Sequence, residues 1–321
     1  MQTHWNTFWQ SGEISSIPLS TDNEYSSIIA NYWLEFFKAQ KARSKILDTA
    51  TGNLIVPVFA MISNSNENKG FEVVATDLAE ISPSAAMIRN PHLTEYIKQV
   101  ESFGNVNNED LPFANNSFDI ITSMYGFEYS NLTKSINEFS RVLKVNGKIK
   151  LLCHCYDSSI VWKNNLTYKC INDIFDCQLF DLLKDLSISI GAIDSPKAFE
   201  NMKANSVTES KRKKFNKQVE AVQLEHKEAL LSTRLLHFIQ EFISNLPNST
   251  HDLRYSKIED FMTGLHNTKQ RLAELFRAAL SQQEFEKLVE TAKKLGLTLT
   301  NSRRIIDSSG NVLGLGIEFK K

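Results

Sequence analysis

The sequence predicts an α/β fold: a mostly parallel sheet with a C-terminal antiparallel hairpin, interrupted by a large helical insertion. Three observations predict it. Between Lys45 and Asp157, short apolar runs that end in an acid alternate with helical patterns, which is how βαβ units read. From Ser158 to about Leu295, apolar residues recur at helical spacing with little glycine. After Gly296, two apolar runs flank Asp307-Ser-Ser-Gly310, a hairpin signal.

Length and composition set the frame. The chain has 321 residues, more than one average domain of roughly 150. Hydrophobic residues make up 42% and charged residues 23%, ordinary globular usage that argues against disorder or a pure coiled coil. With 36 Lys+Arg against 37 Asp+Glu the formal net charge is −1, so no chain-wide field attracts DNA, RNA or an anionic membrane. A homo-oligomer stays open. The apolar run from Leu54 to Ile62 contains Pro57 and is far short of the roughly 20 residues a membrane span needs. The N-terminus is neither basic nor followed by an apolar stretch, so no secretory signal is expected. Cys153, Cys155, Cys170 and Cys177 follow no zinc or disulfide spacing. Strand alternation would also turn His154 away from Cys153 and Cys155, so no metal is expected and the thiols read as reduced, as in a cytoplasmic protein.

The elements divide into an N-terminal helical lid (1–44), a sheet core (45–157 and 296–321) and a helical cap (158–295). In the first part His4-Trp5, Phe8-Trp9, Tyr32-Trp33 and Phe36-Phe37 fall on single helical faces. That pattern suits either core packing or a lid bringing His4, Trp5 or Trp9 to an acceptor pocket. Lys45 to Asp48 reads as a strand, Thr49 to Leu54 as a tight turn and Ile55 to Ile62 as a helix. A polar loop, 63–70, leads to the strand Phe71–Thr76 and to Asp77, which follows Gly52 by 25 residues. A third element is read at Val106 to Phe113, then a turn and a buried strand from Phe118 to Ser123. A helix from Ile136 to Leu143 closes at Asn146-Gly147, and Lys148 to Cys155 forms the next strand. Within the cap, Ser195-Pro196 starts a short helix, and Ser206-x-x-Glu209 opens a long one ending near Asn245. Another spans about Ser256 to Leu280, and Ser281-x-x-Glu284 begins the last. Lys211-Arg-Lys-Lys214 reads as a solvated helix face or as a contact for an acidic substrate or RNA.

This order gives two acids a role. Asp48 and Asp77 end successive strands, so both face the crevice beyond the carboxyl ends, where a carboxylate accepts ribose hydroxyls or holds an ammonium. Each equally suits capping of the helix that follows.

The runs Leu47-Asp48-Thr-Ala-Thr-Gly52, Ala75-Thr-Asp77-Leu, Glu109-Asp-Leu-Pro-Phe113-Ala-Asn-Asn-Ser-Phe-Asp119 and Glu138-Phe-Ser-Arg-Val-Leu-Lys144-Val-Asn-Gly147 resemble the Rossmann-type (class I) S-adenosylmethionine-dependent methyltransferases. The nearest subset is the ubiquinone/menaquinone-biosynthesis methyltransferases. The resemblance covers about residues 45 to 157 and implies S-adenosyl-L-methionine as cofactor. It implies that Asp48, Thr49, Ala50 and Gly52 pass under its methionine part, that Asp77 binds its ribose and that Leu78 meets its adenine. Asn107, Asn108 and Glu109 would lie by the adenine amine. Ser123, Tyr125 and Phe127 would line the transfer site.

Two departures stand out: Leu54 replaces a glycine that lets the helix start pack closely, and Asn107 replaces an acid. Tyr125, Glu128 and His154 are candidate catalytic groups, and equally a pocket wall, a solvated acid and a strand-end residue. The chain lacks the Asn/Asp-Pro-Pro-Tyr/Phe run of base-amine methyltransferases after the fourth strand. The expected function is methylation of the O, N or C of a small molecule. The alternatives are an RNA methyltransferase and a non-catalytic cofactor-binding partner or regulatory subunit.

Overall fold

The computed structural model describes residues 3–17, 24–193, 195–246 and 249–321; the rest of the expected 1–44 lid lies outside them. The chain divides into a core unit, made of residues up to Val161 and from Glu274 onward, and a helical unit, Trp162–Ala273.

In the core unit the strands are β1 (Lys45–Thr49), β2 (Glu72–Thr76), β3 (Glu101–Phe103), β4 (Phe118–Met124), β5 (Leu143–Cys153), β6 (Thr298–Ile306) and β7 (Val312–Lys320). Before β6 the core carries α1 (Thr3–Gln10), α2 (Glu24–Lys38), α3 (Ile55–Glu67), α4 (Pro83–Arg89), α5 (Thr94–Ile97) and α6 (Leu132–Val142). The insertion supplies α7 (Ser159–Asp176), α8 (Leu179–Ile190), α9 (Pro196–Ala204), α10 (Ser206–Thr233), α11 (Leu235–Ser244) and α12 (His251–Ala278), and α13 (Gln282–Lys294) follows. The sheet order is β3-β2-β1-β4-β5-β7-β6. β7 runs antiparallel to β5 and β6, and the remaining pairs are parallel. Strand order reverses between β1 and β4, which makes their carboxyl ends the switch point where such sheets open a ligand crevice.

Alternation along each strand fills both faces. Ile46, Val73, Ile120 and Leu152 pack with α2 and α3, while their neighbours Leu47, Val74, Ile121 and Leu151 pack with α6 and α13. The aromatics of α2, Tyr32, Trp33, Phe36 and Phe37, are core residues. No helix among the described residues is long and apolar enough to cross a membrane.

Four local expectations change. The third strand is Glu101–Phe103, too short to show an apolar run, and the 106–113 stretch is loop. Asn205, not Ser206, caps α10, its side chain accepting from the amides of Val207 and Thr208. Arg234, at φ 58°, separates α10 from α11 with no glycine or proline to announce the break. α13, grouped by its pattern with the cap helices, packs on α6 and β6. Its capping box, Ser281 with Glu284, forms as read, and Ser195 caps α9 ahead of Pro196.

Within the helical unit, Arg254 is 1% exposed and donates to the carbonyls of Ser187, Gly191 and Ser249 and to the Ser187 hydroxyl. A cation thus closes the C-terminal end of α8, where helix carbonyls lack partners. Phe238 stacks on Phe261 with ring centroids 4.1 Å apart.

Candidate active site

The turn after β1 is built on left-handed backbone. Ala50, Gly52 and Leu54 have φ of 49°, 55° and 79°. Only the middle one is free of the cost, about 1–2 kcal/mol, that a Cβ brings to that region. Leu54 repays it by complete burial against Val58, Ala75 and Ala86. The Gly52 amide donates to Asp77 Oδ2 at 2.7 Å, and Asp77 Oδ1 accepts from Ala79 N at 2.8 Å. The acid at the end of β2 thus shapes the turn at the end of β1. Burial pushes its carboxyl up to about 6 against the pull of those two amides. Asp48 lies deeper, 1% exposed, accepting from the Thr122 hydroxyl at 2.6 Å. Burial pushes it to about 7.

The 107–109 loop is held from below by the motif that carried the resemblance. Arg141 donates to the carbonyls of Leu111 and Phe113 and pairs with Glu138, which accepts from Leu111 N. Asp119 accepts from Lys45 N and from Lys144 Nζ, tying β4 to the starts of β1 and β5. The most recognisable run of the sequence is therefore scaffold. It presents Asn107, Asn108 and Glu109 at the crevice, with Glu109 further fixed by Asn131 N and Lys134. Asn108 is buried, and its Oδ1 has no hydrogen-bond partner.

Beyond β4, Tyr125 has φ 53°; its hydroxyl donates to Leu313 O on β7, and its ring stacks on His154 at 4.3 Å. Glu128 is 4% exposed, accepts from His154 N at 2.7 Å through Oε1 and leaves Oε2 unpartnered. Burial pushes its carboxyl to about 7 and holds the His154 imidazole neutral, at about 3.

The N-terminal segment lies across this turn. A Cβ on Gly52 would come within 2.4 Å of the Trp9 ring, so only glycine admits the indole there. Asn53, fully buried, donates to Trp9 O and Glu13 O and accepts from Ser82 N. Trp5 stacks on Trp9, and its indole N–H donates to Glu274 at 2.7 Å. His4 Nε2 stands 3.1 Å from the same carboxylate.

These pieces line a cleft of about 910 Å³ including its open mouth. Of the expected residues, Trp5, Trp9, Ala50, Gly52, Asp77, Leu78, Asn107, Asn108, Glu109 and Tyr125 line it. Asp48, Thr49 and Ser123 are buried behind its wall, Thr49 O accepting from the Ser123 hydroxyl. Phe127, expected at the acceptor, is a core side chain tilted against Phe139, because the short 127–129 turn points it inward. His4 turns to Glu274, and His154 lies outside the lining. Glu128 lines a neighbouring recess that shares Tyr129 and Ser130 with the cleft. Sequence reasoning missed Ser15, Ser16 and Tyr129. A small polar pair after Gly12 and a second tyrosine four residues beyond Tyr125 were the available signals.

Among solved structures, the fold is similar to a geranyl diphosphate methyltransferase crystallised with GPP and sinefungin, at 16% identity and a TM-score of 0.35. That match covers 48% of this chain and 66% of the other. Geranyl diphosphate C-methyltransferase from Streptomyces coelicolor A3(2) matches at 18%, TM-score 0.35, over 48% and 64%. Haemonchus contortus phosphoethanolamine N-methyltransferase 1 matches at 17%, TM-score 0.35, over 48% and 31%. The chain thus spans less than two thirds of the length of these proteins. No curated protein sequence matches it. Residues 26–175 match the model of the ubiE/COQ5 methyltransferase family.

Proposed function

We propose that this chain binds S-adenosylmethionine in the cleft at the switch point and methylates a small-molecule acceptor. The observation that carries the reading is the convergence, in one cleft, of the Gly52 turn, Asp77 and the 107–109 loop. The donor set fits the cofactor. Each Asp77 oxygen already accepts one amide and keeps a lone pair for a ribose hydroxyl. Leu78, 46% exposed on the cleft, offers an apolar face to a base. Asn108 Oδ1, buried and unpartnered, is an acceptor waiting for an amine donor.

The bound cofactor supplies an activated methyl group. The protein's own share is to align the acceptor and exclude water. Trp5 and Trp9 close one side of the cleft, and Asn53 fastens the segment that carries Trp9. The Tyr125 hydroxyl is committed to Leu313 O and serves as wall. Leu54 and Asn107, which replace a glycine and an acid of the family pattern, favour a second reading, a cofactor-binding partner without catalysis.

The test is Asn108→Ala. Because its Oδ1 makes no internal hydrogen bond, the substitution should not lower thermal stability. It should weaken S-adenosylhomocysteine binding by about 3- to 10-fold, the worth of one hydrogen bond. Unchanged affinity would remove Asn108 from the site. Transfer of label from S-adenosylmethionine to any small acceptor separates the two readings.

A further inference from the structure

Beside the cleft, sharing Tyr129 and Ser130 with it, lies a recess of about 750 Å³ including its mouth. Its walls carry three carboxylates, Glu128, Glu274 and Glu284, against one guanidinium, Arg277, with Leu132 and Leu280 as apolar surface. Two of the acids are already engaged: Glu274 by the Trp5 indole N–H, and Glu284 in its capping box with Ser281. Glu128 differs, being 4% exposed with Oε1 held by His154 N, the buried Cys153 thiol beside its carboxyl, and Oε2 without a geometric hydrogen-bond partner. A buried acceptor without a partner costs stability unless a donor reaches it.

We propose that this recess is the acceptor site, that the acceptor is a small amine with an apolar body, and that Glu128 Oε2 receives its N–H. The inference rests on the methyltransferase reading of the adjacent cleft. The excess of carboxylates selects a cation over an anion of the same shape. An ammonium must shed a proton before its nitrogen has a lone pair to react with. Methylation then forms the N–C bond as the donor S–C bond breaks, with that electron pair staying on sulfur and the proton passing to Glu128. Burial already biases Glu128 toward the protonated form that results. A phosphate- or carboxylate-bearing acceptor would meet repulsion from the same walls.

The test uses phenethylamine and phenylacetate, alike in shape and opposite in charge. The protein is first saturated with S-adenosylhomocysteine, its binding read by calorimetry, and then titrated with each probe. Phenethylamine should bind and phenylacetate should not. Glu128→Gln keeps the oxygen that accepts from His154 N, and it should weaken the amine at least about tenfold while leaving S-adenosylhomocysteine affinity within about twofold. Glu274→Gln, which retains an acceptor for Trp5, should weaken the amine by about threefold or more. With S-adenosylmethionine, wild type should yield N-methylated phenethylamine by mass spectrometry. Binding of phenylacetate as tight as the amine, full amine affinity in Glu128→Gln, or no binding of either probe would overturn the proposal. Failure of S-adenosylhomocysteine itself to bind would instead overturn the reading of the cleft.

Discussion

Replacing Asp48 by asparagine should stabilise the ligand-free protein, and more so as the pH rises. Asp48 is fully enclosed at the end of β1, and the Thr122 hydroxyl at 2.6 Å donates to it. Burial lifts its pKa from 3.8 to about 7. The folded state therefore keeps its proton where the unfolded chain has lost it, so Asp48's contribution is complete below about pH 4 and declines as pH rises toward 7. A shift of about three units, at about 1.4 kcal/mol each, amounts to about 4 kcal/mol lost across that window. Asparagine has the shape of the neutral acid, keeps an oxygen for Thr122 and does not titrate. The assay is urea unfolding of both proteins followed by tryptophan fluorescence at several pH values. The variant should be more stable by about 2–4 kcal/mol near pH 8, with the difference shrinking steadily toward pH 4. A variant less stable than wild type near pH 8, or a difference that does not change with pH, would refute the reasoning.

Asn53→Ala removes three hydrogen bonds, two of them buried, and should cost about 2–3 kcal/mol while releasing the segment that carries Trp9; a red-shifted tryptophan emission and faster proteolysis before residue 18 would report it. Arg141→Ala unties the 107–113 loop and should lower stability by about 2–3 kcal/mol in urea unfolding, with a parallel loss of S-adenosylhomocysteine affinity by calorimetry. Ala50→Gly removes a Cβ from left-handed backbone and should stabilise by about 0.5–1 kcal/mol, since relief of strain exceeds the entropy glycine adds to the unfolded chain; a loss of stability in the same assay would contradict it.

The sheet was legible because its signal is local. Strands buried on both faces read as apolar runs, the acids Asp48 and Asp77 mark where two of them end, and the Asp307-Ser-Ser-Gly310 turn announces the hairpin. β3 escaped because a three-residue strand has no period to detect, and the break at Arg234 escaped because the residue adopts left-handed backbone without being glycine. At the cleft, strand-end spacing pointed to the turn and Asp77, and the family resemblance pointed to the 107–109 loop; all three line it. It did not separate residues that face the cleft from those one step behind it. Asp48 at the end of β1 and Gly52 in the turn after it are close in sequence, yet of the two only Gly52 meets the cleft. Phe127 and Glu128 are neighbours, yet one enters the core and the other a recess. Long-range partners were hidden altogether: the His4, Trp5 and Glu274 contact joins residues about 270 apart in the chain.

The central claim is that the cleft at the switch point holds S-adenosylmethionine. Titration calorimetry of the wild-type chain with S-adenosylmethionine and S-adenosylhomocysteine, with ATP and NAD as controls, tests it most directly. The account predicts one site of micromolar affinity for the first two and none for the controls. Binding of ATP or NAD in their place, or binding of none of the four, would contradict it.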